Sequence, residues 1–248
     1  MSTPIVFDPA VGREFVKYAR LVAGRGYVHN TLGNIVMRVR HPDFPHGVAY
    51  TKHAEISLEE MEADNIVITD IPTSRILWGE RMTSVGHNLS REILRLRPDI
   101  GATIHVHDDA TIALFGALGE SNAPEFKVLS LDPPFVLGKP VHFVPAHVDV
   151  DVSSVAGFIQ DTNSLVLVGH GITTLGRTVS EAYHRLNTLT AEVRRCIVAE
   201  QIAALKGTRI AYRPQSGCAG PGRTRQSTRW CSPTPRASSR AIPISTRW

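Results

Sequence analysis

The segment ATIHVHDDA, residues 102–110, sets His105 and His107 two positions apart at the end of a β-branched run, with acids directly after them. Residues i and i+2 of a strand project to the same side, so the two imidazoles stand together while Val106 turns to the other face. Neutral imidazole is a ligand for divalent transition metals, and a same-face pair can share one ion. A lone histidine on an apolar face is more often a satisfied core residue. That blander reading applies to His29, His41, His46, His142, His147 and His184.

A catalytic metal site keeps three protein ligands and an open position. His170 is the candidate for the third, because it leaves the apolar run SLVLV between Gly169 and Gly171, which let the backbone approach a shared centre. Asp108 and Asp109 open the next helix, where acids are favoured, in preference to orienting a ligand imidazole. Cys196, Cys218 and Cys231 contain no CxxC pair and form neither a zinc set nor a disulfide framework.

The elements that must position these histidines follow from periodicity. Val11, Phe15, Tyr18, Ala19 and Val22 predict a first amphipathic helix closed by Gly24 and Gly26. NIVMRV alternates as a strand entered through a turn at Gly33 and Asn34, and GVAYT is the next strand. Ser57 with Glu60 reads as a capping box on a short helical turn before a strand at residues 66–69. Leu89, Ile93, Leu94 and Leu96 predict a helix stopped by Pro98. TIALFGALG is read as a helix and VLSLDPPFVLGKPVHFVP as short strands and turns. SLVLV is a buried strand, and a long helix begins near Thr178 or Ser180 and stops at Gly207. Helices interleaved irregularly with strands predict an α/β sandwich rather than a regular barrel.

The net charge of +4 misleads until it is divided along the chain. Nine of the 27 bases and none of the 23 acids follow Glu200, so the body is acidic and only the end is basic. Residues 208–248, dense in Ser, Pro, Arg and Gly, are read as a disordered or frame-shifted tail appended to a catalytic domain at 1–207. An RNA-binding arm is the lesser reading of that tail, so a nucleic-acid partner is not expected. No apolar run reaches the ~18 residues of a membrane span and the N-terminus lacks a leader's pattern, so the expected location is cytoplasmic.

ATIHVHDDATIAL and LVGHGITTLGRTVSEAYHRLNTLTAEVRRC resemble the class II aldolase/adducin family, with NTLGN similar to its glycine-asparagine loop and VAYTKHA to its threonine loop. The resemblance, over about residues 12–207, implies a three-layer α/β/α sandwich around a mixed, largely antiparallel sheet. It also implies a divalent metal, Mn2+ or Zn2+, on His105, His107 and His170, and a homotetramer. Two departures bear on the chemistry. The proton-moving glutamate of the family's sugar-phosphate aldolases falls in the stretch Thr83, Ser84, Val85 and Gly86, which has none, and the threonine loop continues Lys52, His53 without glycine.

RGYVHNTLGN, AYTKHAEISLEEM and TSVGHN resemble instead a branch of the family that decarboxylates a hydroxylated pyridine dicarboxylate. That resemblance implies an aromatic dicarboxylate substrate chelated through its ring hydroxyl and adjacent carboxylate. Under it His53 or His87 is the general acid, Lys52 holds the second carboxylate, and Asn34, Thr51 and Ser84 give hydrogen bonds. His87 is equally a candidate fourth metal ligand. The alternatives are a sugar-phosphate aldolase or epimerase, and a metal-free adducin-like binding module.

Overall fold

A computed structural model of the chain describes residues 4–117 and 125–213. The expected tail lies outside the described residues from 214 onward. Its first six residues are placed, with Arg213 bridged to Val128 and the Tyr212 hydroxyl donating to Glu200 at 2.8 Å.

Helix α1 (Pro9–Ala23) starts where the Asp8 carboxylate accepts from the Ala10 amide and Pro9 presets φ at the first helical position. It buries Phe15, Tyr18, Ala19 and Val22, the face read from periodicity. Strands β1 (Asn34–His41), β2 (Phe44–Lys52), β3 (Ile66–Asp70) and β4 (Ile76–Trp78) form an antiparallel meander. Helix α2 (His87–Leu96) ends with Arg97 as its cap, one residue before Pro98, as predicted. Strand β5 (Ala102–Val106) follows, then α3 (Asp109–Ala117), α4 (Pro133–Leu137), β6 (Val141–Pro145), β7 (Ser164–Val168), β8 (Gly171–Gly176) and α5 (Val179–Lys206). Thr178 caps α5 by accepting from the Glu181 amide, and Gly207 ends it at φ 63°.

The eight strands form one sheet in the order β4-β3-β2-β1-β5-β8-β7-β6, in which β6 and β7 alone are parallel neighbours. Alternation divides the two faces. Ile35, Met37, Tyr50, Ile68, Ile104 and Ile172 pack with residues of α1 and α5, while Val36, Ala49, Leu165 and Leu175 pack with Leu89, Ile93 and Leu94 of α2 and with the turns at Val148, Val155 and Ile159. The predicted α/β/α sandwich is therefore the observed one. No helix among the described residues is long and apolar enough to cross a membrane.

Three local expectations are corrected. Residues 133–137 are helix, because Pro133 and Pro134 sit where missing amides cost nothing and Gly138 closes the turn at φ 69°. Ser57 and Glu60 do exchange the bonds of a capping box, at 3.4 and 3.2 Å to the backbone, but no helix follows; the nearest turn is a 3-10 turn at Ala63–Asn65. Strand β8 is additional: no element is expected between Gly171 and the long helix, yet residues 171–176 form a full central strand whose Thr-Thr pair sits between apolar neighbours.

Candidate metal centre

Strand β5 lies between β1 and β8, with Asn34 opposite His105 on one side and Thr173 opposite it on the other. Ile104 and Val106 belong to the α5-side core, so His105 projects to the α2 side. His107, one residue beyond the strand, keeps the same side, and its amide donates to the Tyr27 carbonyl at 3.1 Å. His170 arrives from the tight turn joining β7 to β8, where Gly169 takes φ 75° and the His170 amide bonds back to Leu167 at 2.9 Å. Gly171 fixes this approach. A Cβ there would lie 2.2 Å from the Val106 carbonyl oxygen and 3.5 Å from His105 Cε1, so only glycine lets β8 come this close to β5.

The result is a convergence of three imidazoles. One ring nitrogen from each of His105, His107 and His170 lies within 4.8 Å of the others, and His105 Nε2 is 3.1 Å from His107 Nε2. The far nitrogens of His105 and His170 are occupied. His105 Nδ1 is 2.9 Å from Thr173 Oγ1, and His170 Nδ1 is 3.3 Å from the Ala146 carbonyl and 3.6 Å from an Asp149 carboxylate oxygen. Donation by Nδ1–H at these contacts leaves each Nε2 with a free lone pair, the tautomer a metal ligand needs. Burial pushes His105 well below its ordinary value, helped by the neighbouring imidazoles, and pushes His107 down to about 4. Three imidazole nitrogens fit a borderline divalent cation with open coordination positions.

Beside the histidines runs a row of hydrogen-bonding groups on the same face. Continuing the pairing of Val36 with Thr51 by two residues sets Asn34 opposite His53, so Thr173, His105, Asn34 and His53 line up across four strands. Thr51 Oγ1, Ser84 Oγ and His87 Nδ1 are buried without a hydrogen-bond partner. Native proteins rarely leave such atoms unpaired.

The predicted residues do not all meet. Asn34 is buried and its Oδ1 accepts from Ser90 Oγ at 3.3 Å. Its amide nitrogen would lie 2.7 Å from a Cβ at Gly86, so a side chain there would have to displace it. His87 is 1% exposed, its Nε2 pairs with Thr69 Oγ1 at 3.0 Å, and it stands apart from the converging nitrogens. Burial, then Arg91, lowers it to about 4. His53 lines a groove with Val67, Trp78 and Arg81, and its Nδ1 accepts from the Glu55 amide. Lys52 is turned to the opposite face, where its ammonium donates to the carbonyls of Thr31 and Ile56, each at 2.8 Å. The structure does not bring it to the row. Asp108 caps α3 through Thr111 and pairs with Arg194 at 2.6 Å, as expected of a helix-opening acid, and Asp109 pairs with His29 at 3.1 Å.

Thr173, Asp149 and Thr69 carry no assignment from sequence. Thr173 had a signal in the run ITT, whose alternation places it on the His105 face once β8 is recognised as a strand.

Comparison with known proteins agrees with this architecture. The class II aldolase and adducin N-terminal domain matches residues 13–195. An L-fuculose phosphate aldolase of Methanococcus maripaludis is 28% identical over 178 residues, covering 71% of this chain and 90% of that protein. Among solved structures, YgbL of Klebsiella pneumoniae, assigned as aldolase, epimerase or decarboxylase, superposes with a TM-score of 0.66 at 20% identity, covering 84% of this chain and 95% of that one. The L-fuculose-1-phosphate aldolase of Thermus thermophilus gives 0.64 at 18% identity, covering 79% and 98%.

Proposed function

We propose that this chain, which belongs to the class II aldolase and adducin family, is a divalent-metal-dependent carbon-carbon lyase acting on a small anionic substrate. The observation that carries this reading is the convergence of one ring nitrogen from each of His105, His107 and His170 within 4.8 Å of one another. His105, His107 and His170 would hold the cation. When bound, it supplies Lewis-acid polarisation of a substrate oxygen next to the bond that breaks. Asn34, Thr51 and Ser84 supply donors for a phosphate or carboxylate. His87 Nδ1 is the buried group best placed to hold a proton among them, because its other nitrogen is fixed by Thr69.

Aldol cleavage of a sugar phosphate is the finer reading, since relatives bearing that name match along nearly their whole length. Zinc-loaded protein given L-fuculose 1-phosphate should release dihydroxyacetone phosphate and an aldehyde. Absence of both from fully metallated protein would remove this reading.

Decarboxylation of 3-hydroxy-2-methylpyridine-4,5-dicarboxylate is the second reading, and one observation favours it. Residues 83–86 carry no carboxylate, and the Asn34 amide fills the space a side chain at Gly86 would enter. Release of CO2 from that substrate, with manganese or zinc, separates the two. An adducin-like binding module instead predicts no bound metal after purification without chelator. The homotetramer implied by the resemblance is checked by light scattering.

A further inference from the structure

We propose that Lys52 is a positioning residue: from the opposite face of the sheet, its ammonium ties together the two loops that bring Asn34 and Ser84 to the substrate. The proposal rests on the lyase reading for what those loops bind, but not for the tie itself. Lys52 is fully buried, and every hydrogen-bond partner of its Nζ is a neutral backbone carbonyl: Thr31 and Ile56 at 2.8 Å and His53 at 3.4 Å. Among the described residues no carboxylate forms an ion pair with it. A buried charge without a counter-charge is costly. Simple packing does not account for it, because a leucine or methionine would fill similar space at no such cost.

What the ammonium holds explains its presence. Thr31 lies in the turn between Asn30 at φ 52° and Gly33 at φ 76°, and the next residue is Asn34. That turn is pressed onto the metal centre: a Cβ at Gly33 would lie 2.9 Å from the His105 carbonyl oxygen. His53 and Ile56 belong to the exit of β2, whose Ala54 amide bonds the Met82 carbonyl at 2.8 Å and whose His53 bridges Thr83, the neighbour of Ser84. One cation with three donors thus bridges the Asn34 turn and the exit of β2, which in turn pairs with the segment that carries Ser84. Neither a hydrocarbon nor a single amide can satisfy three carbonyls in different directions.

The test compares wild type with Lys52→Met and Lys52→Gln, each zinc-loaded, using inorganic phosphate as the probe in titration calorimetry and amide hydrogen exchange over residues 29–35 and 53–56. We expect one zinc per chain in all three proteins. Lys52→Met should raise the phosphate Kd at least tenfold and speed exchange in both segments at least tenfold, with β5 and β8 unchanged, and Lys52→Gln should fall between. A phosphate Kd within twofold of wild type, exchange unchanged in those segments, or no phosphate binding by wild type overturns the proposal. Loss of the fold in both variants also overturns it, since the tie would then serve the whole domain. Failure of wild type to turn over L-fuculose 1-phosphate while phosphate still binds Lys52-dependently sinks the aldolase reading alone.

Discussion

The imidazole trio, with His105 buried and His107 and His170 half-buried, and the fully buried Lys52 are nitrogen groups at the same end of the sheet, and they meet the cost of burial in opposite ways. His105 and His107 sit where desolvation, helped by neighbouring imidazoles, drives off their protons, so both offer lone pairs. Lys52, also drawn down by burial, to about 8, remains charged at neutral pH because three carbonyls accept its protons. One region surrenders charge in order to bind a cation. The other keeps a cation of its own in order to hold backbone. The same face-to-face separation by one residue, Thr51 against Lys52, decides which role a side chain takes.

The comparison breaks first at the trio. His105→Ala should remove metal from the purified protein, with a loss of affinity of more than about 100-fold, because it deletes a ligand rather than a supporting bond. Zinc stoichiometry by atomic absorption checks this. Gly171→Ala tests whether close backbone approach builds the centre. Its Cβ would meet the Val106 carbonyl at 2.2 Å, and backbone cannot rotate away, so we expect a loss of about 3 kcal/mol in urea denaturation together with weaker metal binding.

How much of this is legible in the sequence depends on whether the signal is local. The HVH spacing and the glycines around His170 are local rules of strand and turn geometry, and they point to the three residues that converge. The faces of α1, α2 and α5 are equally readable, since each rests on a 3.6-residue period. Strand β8 is hidden because GITTLG is bracketed by glycines and follows a turn, so its Thr-rich alternation lacks an obvious start. Residue type alone assigns Lys52 to the substrate, because an ammonium suits an anion. Alternation from the buried Tyr50 instead places it on the α5 side, since residues two apart on β2 share a face. The partner of each far imidazole nitrogen depends on pairings between strands distant in sequence, and no local pattern carries those.

Acid sharpens the comparison on the histidine side. His87 in the folded chain lies at about 4 against an ordinary 6.5, so the unfolded chain takes up the proton first. Its contribution is complete above about 6.5 and is lost as pH falls towards 4, by roughly 3 kcal/mol at the limit. His87→Gln keeps a donor for Thr69 but does not titrate. Its stability should therefore decline less than that of wild type between pH 6.5 and 4, measured by urea titration of metal-free protein. Thr173→Val is a smaller change. It removes the acceptor for His105 Nδ1 without changing shape, and metal affinity should fall about 10- to 100-fold with the fold intact.

The alkaline end decides whether Lys52 is held as a cation. Because burial lowers its folded value to about 8 from 10.5, the folded chain again binds fewer protons than the unfolded one, now between those two limits. The cost of burying the charge is fully present below about 8 and is relieved as pH rises towards 10.5, so stability gained through this residue increases with pH, the same sign as for His87 in a different window. At the limit the shift from 10.5 to about 8 is worth roughly 3 kcal/mol, the same size as that of His87. Lys52→Met has nothing to titrate there. The difference in unfolding free energy between wild type and Lys52→Met, followed from pH 7.5 to 10.5, should therefore rise in favour of wild type. A flat difference would mean that the carbonyl cage holds the proton as firmly as water does, and that burial at this position carries no electrostatic cost for the loops to offset.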